Sequence, residues 1–150
     1  MKLDIMLPMT YRPTNGGVEY TIIAIGEHAG TKFYVCDICG FHPTAYLRIP
    51  KGMPLYALDY TECDDYIEVH GGFTYAAFGL KGVVNDDESW FIGWDYGHCC
   101  DFHGYYLCDP KSYLATHNKK WTTEEVVDEC RTACEELAKL RECEKVPEAK

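Results

Sequence analysis

Apolar and polar positions along the chain follow two different periods. In residues 18–26 (VEYTIIAIG) alternation merges into an apolar run after a Thr14-Asn15-Gly16-Gly17 turn, which predicts a partly buried strand. Residues 32–36 and 44–49 predict two further strands, the second ended by Pro50, which has no amide to give a ladder. Between them, Cys36-Asp37-Ile38-Cys39-Gly40 predicts a tight turn, and residues 50–64, with prolines, a glycine and scattered acids, predict a loop. Residues 65–70 and 73–77 predict strands flanking Gly71-Gly72, a pair suited to the positive φ of a two-residue hairpin. Residues 79–88 predict a polar turn and residues 89–95 (SWFIGWD) another strand, while residues 96–120 show no clear period.

The period changes to three and four near the C-terminus. Val126, Val127, Cys130, Ala133, Cys134, Leu137 and Leu140 recur on one helical face. Thr122 followed by Glu125 predicts a capping box, and Glu124, Glu125, Asp128 and Glu129 place negative charge where the helix dipole favours it. The pattern predicts a single α+β domain over residues 1–150. Its mainly antiparallel sheet is packed by a C-terminal amphipathic helix, and residues 141–150 fray.

Composition narrows the class. With 150 residues, 47% hydrophobic and 14% aromatic, the chain can bury a core and is not a disordered segment. No apolar run reaches membrane-span length, and Lys2, Asp4 and Pro8 interrupt any leader-like stretch, so a cytoplasmic setting is expected. Nine cysteines, an odd number, then read as reduced thiols with zinc as an option, rather than a disulfide framework.

Charge is concentrated. The net charge is −10, and residues 59–109 alone carry eleven acids against Lys81. Such a stretch repels phosphate backbones and attracts cations or basic surfaces. Direct nucleic-acid binding is not expected, and a basic protein surface is the expected partner.

The densest chemical cluster is Trp94-Asp95-Tyr96-Gly97-His98-Cys99-Cys100-Asp101-Phe102-His103, beginning where a strand ends. Asp95, His98 and Asp101 follow one another at three-residue spacing, and His70 closes an earlier strand. Together His70, Asp95, His98 and Asp101 are the candidate catalytic or metal-binding set, suited to zinc or another divalent metal. The same residues also suit a purely structural network, in which a carboxylate fixes a ring tautomer. Thiolate chemistry at Cys99 or Cys100 is disfavoured by the acidic surroundings. Cys36 and Cys39, separated by two residues, supply half of a tetrahedral zinc site or simply buried thiols.

Residues 45–56 (AYLRIPKGMPLY), Asp59-Tyr60, residues 69–75 (VHGGFTY), residues 90–98 (WFIGWDYGH) and Asp101 form a distinctive set. It resembles a group of small phage- and prophage-encoded proteins with the pattern GYVxVPxGHPLYGxDY, VHGGLTY and WxGFDCAHxxD. The resemblance covers about 60 positions. It implies that His70, Gly71, Gly72, Asp95, His98 and Asp101 belong to one site. Met53 stands where the pattern has His, and Tyr96-Gly97 replaces Cys-Ala, removing an imidazole and a thiol.

Three functional readings follow. The first is an accessory protein of a phage or mobile element that binds a host factor, an inhibitor of bacterial antiviral defence acting by charge mimicry. The second is a metal-dependent hydrolase or nucleotide-processing enzyme using the His/Asp cluster. The third is a sponge for a signalling nucleotide, which requires Lys32, Arg48 or Lys51 to line its pocket.

Overall fold

The computed structural model describes residues 2–4, 9–11, 20–38, 42–80, 84, 87–98, 101 and 118–143. In chain order these form β1 (Lys2–Asp4), β2 (Met9–Tyr11), β3 (Tyr20–His28), β4 (Thr31–Ile38), β5 (His42–Ile49), α1 (Tyr60–Cys63), β6 (Tyr75–Phe78), β7 (Trp90–Asp95) and α2 (Thr123–Arg141). The strands make one antiparallel sheet, ordered β1-β3-β4-β5-β7-β6. β2 shares the outer edge of β3 with β1, pairing with residues 20–22 while β1 pairs with residues 25–27. The fold is α+β, as the periodicity predicts.

Each face of the sheet has its own apolar cluster, because successive side chains of a strand point opposite ways. Phe33, Val35, Ala45, Leu47, Ile49, Ile92 and Trp94 join the α2 residues Val126, Val127, Cys130, Ala133, Cys134 and Leu137 in the larger cluster. Tyr34, Cys36, Tyr46, Phe91 and Leu80 make a smaller cluster on the opposite face. β3 departs from alternation. Its register with β4 shifts between Ile22 and Ala24, so Ile23 and Ala24 both pack toward the helix while Ile22 and Ile25 pack away from it. A bulge has this effect, because one extra residue breaks the two-residue repeat.

The capping box of α2 forms as predicted: Glu125 N donates to Thr122 Oγ1 at 3.2 Å, and Thr122 N donates back to Glu125 Oε1 at 3.1 Å.

Three local expectations are corrected. Residues 65–70 are not a strand, and among the described residues β6 pairs with β7 alone. Their apolar–polar alternation reflects Ile67 and Val69 being pressed into the helix-side core from an irregular segment. The Gly71-Gly72 turn does form, with φ of 69° and 82° and a Gly72 N to Val69 O bond of 3.0 Å, but it joins no hairpin. Residues 50–64 contain the single-turn helix α1, started by Asp59, whose carboxylate accepts from Tyr60 N at 2.8 Å. β4 contains Cys36, as the strand over residues 32–36 predicts, but runs on through Ile38, so Asp37 and Ile38 are strand and not turn; Cys36 is fully buried. Cys39 and the end of the expected turn lie outside the described residues, as do most of residues 96–120 and 141–150. Among the described residues, no helix is long and apolar enough to cross a membrane.

Candidate functional site

The site forms where three chain segments meet at one end of α2. The Gly71-Gly72 turn presents His70. The chain leaving β7 continues through Tyr96, whose amide donates to Pro43 O at 3.1 Å, to His98, whose carbonyl accepts from Asp101 N at 3.0 Å. The third segment, Asn118 to Thr122, leads into the helix cap.

Asp101 is the hub. Its side chain is buried and accepts His70 Nε2 at 2.8 and 3.0 Å, Trp121 Nε1 at 2.8 Å and the His98 amide at 3.0 Å. Asn118 Nδ2 donates to the Asp101 backbone carbonyl at 3.0 Å. Burial by itself raises this carboxyl group's pKa. The bonds from His70, Trp121 and the His98 amide outweigh burial and hold it below its ordinary value of 3.8. Asp101 is therefore ionised at neutral pH and can only accept, so the contact places a proton on His70 Nε2.

Aromatic rings fix the His70 plane. Tyr96 stacks on it with centroids 4.8 Å apart and planes 6° from parallel, and Trp121 tilts against it at 4.8 Å. Tyr96 is held in turn: its hydroxyl accepts from Trp94 Nε1 at 3.0 Å and donates to Glu129 Oε1 at 2.5 Å. Burial, reinforced by the bond to Glu129, pushes the Tyr96 hydroxyl far above the ordinary phenol range, so it stays protonated. The same Glu129 oxygen accepts the His70 amide at 3.2 Å, tying the helix to the turn.

A second imidazole–carboxylate pair lies beside the first. His98 Nε2 is 3.3 Å from Asp95 Oδ1, which also accepts the Gly97 amide at 2.9 Å, and Thr74 Oγ1 donates to Asp95 Oδ2 at 3.0 Å. The His70 and His98 rings are 5.8 Å apart. The structure thus brings His70, Asp95, His98 and Asp101 into one neighbourhood as two imidazole–carboxylate pairs, His70–Asp101 hydrogen-bonded and His98–Asp95 an ion contact at 3.3 Å. Among the described residues, no three His, Cys, Asp or Glu side chains are grouped so that they could hold a metal ion.

Cys36 does not join them. It sits mid-strand on the face away from α2, and burial, with Asp37 adding to it, pushes its thiol up to about 12. Cys39, Cys99, Cys100 and His103 lie outside the described residues.

Sequence reasoning missed Tyr96, Trp121 and Glu129 as members of this network. Glu129 left a signal: it stands three residues after Val126 and four before Ala133, inside the apolar stripe, where a carboxylate needs a partner.

Beside the turn, a cleft of about 710 Å³ is lined by Tyr66, Glu68, His70, Glu129, Thr132 and Glu136, together with Val69 and Gly71. None of these is a lysine or arginine, although Glu136 is paired with Lys139 at 2.9 Å. Lys32 lies over the Tyr34 ring at 5.6 Å and Arg48 donates to Ser89 at 2.9 Å, so both are engaged on the sheet away from this cleft.

No family model matches the chain, and no curated protein or solved structure matches it.

Proposed function

We propose that the protein is an acidic, non-enzymatic accessory protein of a phage or mobile element that binds a basic surface of a host protein and so inhibits a component of antiviral defence. The observation that carries this reading is the cleft bounded by Glu68, Glu129 and Glu136, an open concavity of one charge sign. Asp59, Glu62, Asp64, Asp65 and Glu68, in the acidic central third of the chain, are all exposed and add to the same field. The Asp101 carboxylate, by contrast, is engaged by three internal donors, as expected of an anchor holding a loop. The resemblance to phage-encoded proteins supplies the biological setting.

A lysine-rich peptide is the direct probe. Its affinity should fall at least about tenfold between roughly 0.05 and 0.3 M salt, and Glu68→Gln with Glu136→Gln should weaken it further at low salt. Absence of binding, or an isotherm indifferent to salt, refutes charge-driven docking.

A second reading, a metal-dependent hydrolase, draws on the two imidazole–carboxylate pairs whose rings lie 5.8 Å apart. It requires His70 to exchange its contact with Asp101 for a metal ion. Elemental analysis of protein purified without metal-affinity steps decides it: stoichiometric metal and loss of stability with chelator support the enzyme reading, and neither leaves it without a basis.

A further inference from the structure

On the face of the sheet away from α2 lies a second pocket, of about 210 Å³, whose lining includes His42, Thr44, Tyr46, Thr74, Tyr75 and Asp95. We infer that this pocket binds a guanidinium group, seated in the corner formed by the Tyr46 and Tyr75 rings and hydrogen-bonded to Asp95 and Thr44. The inference deepens the reading above and rests on it for the source of the group, an arginine side chain of the basic partner.

Thr44 is the first reason. It is 2% exposed, yet among the described residues its hydroxyl has no hydrogen-bond partner. Burying a hydroxyl unpaired costs more than the bond itself gains, so native structures rarely leave one without a use. Thr44 lines the pocket, where an incoming N–H can reach it.

Asp95 is the second. It stands directly across from Thr44 in the β5–β7 pairing, so the two side chains share one face about 5 Å apart. A carboxylate offers roughly four acceptor positions. Gly97 N occupies one on Oδ1, beside which His98 Nε2 stands at 3.3 Å, and Thr74 occupies one on Oδ2, leaving an acceptor position on Oδ2 among the described contacts.

The walls select the shape of the cation. Tyr46 and Tyr75 meet at 84° with centroids 5.3 Å apart, so a planar cation can lie on one ring while its edge meets the other. Guanidinium is flat, weakly hydrated and carries donors on separate nitrogens, which lets it reach acceptors on two neighbouring strands at once. An ammonium is a compact, strongly hydrated point charge and lacks that reach. A phosphate-bearing ligand is opposed by Asp95 and by the net charge of −10. The volume also fits: a cavity of about 150 Å³ holds benzene, so 210 Å³ accommodates a guanidinium and part of its stem.

The test titrates the whole protein with N-acetyl-arginine amide and, separately, N-acetyl-lysine amide, following backbone amide shifts by NMR. The arginine probe should bind saturably, shift the amides of Thr44, Thr74 and Asp95, and outcompete the lysine probe by about tenfold or more. Thr44→Val removes a hydroxyl with no internal partner, so its thermal midpoint should hold or rise while arginine affinity drops about tenfold. Asp95→Asn should lower affinity further, with some loss of stability from its bonds to Gly97 and Thr74. Equal response to both probes, unchanged affinity in Thr44→Val, or shifts confined to the Glu68 cleft overturns the inference. So does saturable binding of adenosine monophosphate without a response to the arginine probe. If the arginine probe fails while the lysine-rich peptide still binds in a salt-dependent way, the acidic cleft stands and this pocket falls. The reverse result leaves a guanidinium pocket without the charge-mimicry reading.

Discussion

The imidazole of His98 occupies the space that a side chain at position 71 would fill. A β-carbon built on Gly71 stands 2.3 Å from His98 Nε2 and 2.4 Å from Cδ2, and the backbone there has φ of 69°. Two penalties therefore fall on Gly71→Ala: a left-handed backbone and a direct overlap with a ring. The substitution should cost about 2–4 kcal/mol, read as a lowered urea midpoint. Adding His98→Ala should restore the part due to overlap and leave the backbone part. A Gly71→Ala protein as stable as the wild type contradicts the packing of His98 on this turn.

Asp101 carries the most connected carboxylate of the site, so its loss should be felt across three segments. Asp101→Asn keeps the shape but weakens the charge-assisted bonds from His70 and Trp121, and should destabilise by about 1–3 kcal/mol. Trp121→Phe removes one donor while retaining most of the ring, and should cost about 1 kcal/mol. In the double variant the losses should be less than additive, because the Trp121 bond is already weakened when Asp101 is gone. Strict additivity indicates that the two do not interact.

The same carboxylate sets an acid dependence. Its pKa is lower folded than unfolded, so the unfolded chain takes up a proton more readily as pH falls. Its contribution to stability is complete above the ordinary value of 3.8 and is lost as pH drops through the depressed folded value. Urea midpoints measured from neutral pH downward should decline more steeply below about pH 4 in the wild type than in Asp101→Asn. Parallel curves mean that Asp101 has no depressed pKa.

Thiol reactivity should divide the described cysteines. Burial pushes Cys36, Cys63 and Cys134 up to about 12 and Cys130 well above the ordinary thiol value, so their reactive thiolate is scarce at neutral pH. Cys143 is exposed. Alkylation of the native protein, followed by peptide mass analysis, should modify Cys143 and spare the other four until denaturant is added. Rapid native labelling of Cys36 or Cys130 contradicts their burial.

The amino-acid sequence by itself determined what depends on neighbours in the chain. Thr122 and Glu125 form their reciprocal cap within four residues, and the three–four repeat from Val126 to Leu137 becomes the face that meets the sheet. Strands β5 and β7 were legible because both of their faces are buried at mid-strand, giving the apolar runs Ala45-Tyr46-Leu47 and Trp90 to Trp94. Residues 65–70 misled for a related reason: alternation reports which side chains are buried, not whether the backbone is paired. Ile23 and Ala24 blurred the β3 pattern because a bulge is a property of two strands together.

Only the tertiary structure decided the partners. His70 and Asp101 are thirty-one residues apart, and Glu129 reaches Tyr96 across thirty-three, distances over which no local spacing rule operates. The sequence could nominate imidazoles and acids, but not that Asp101 would take up His70 through Nε2, nor that Thr44 would lie across from Asp95 with its hydroxyl unpaired. Hydrogen bonds are short-ranged and directional, so which donor meets which acceptor is known only after the sheet and helix have set where each chain segment ends.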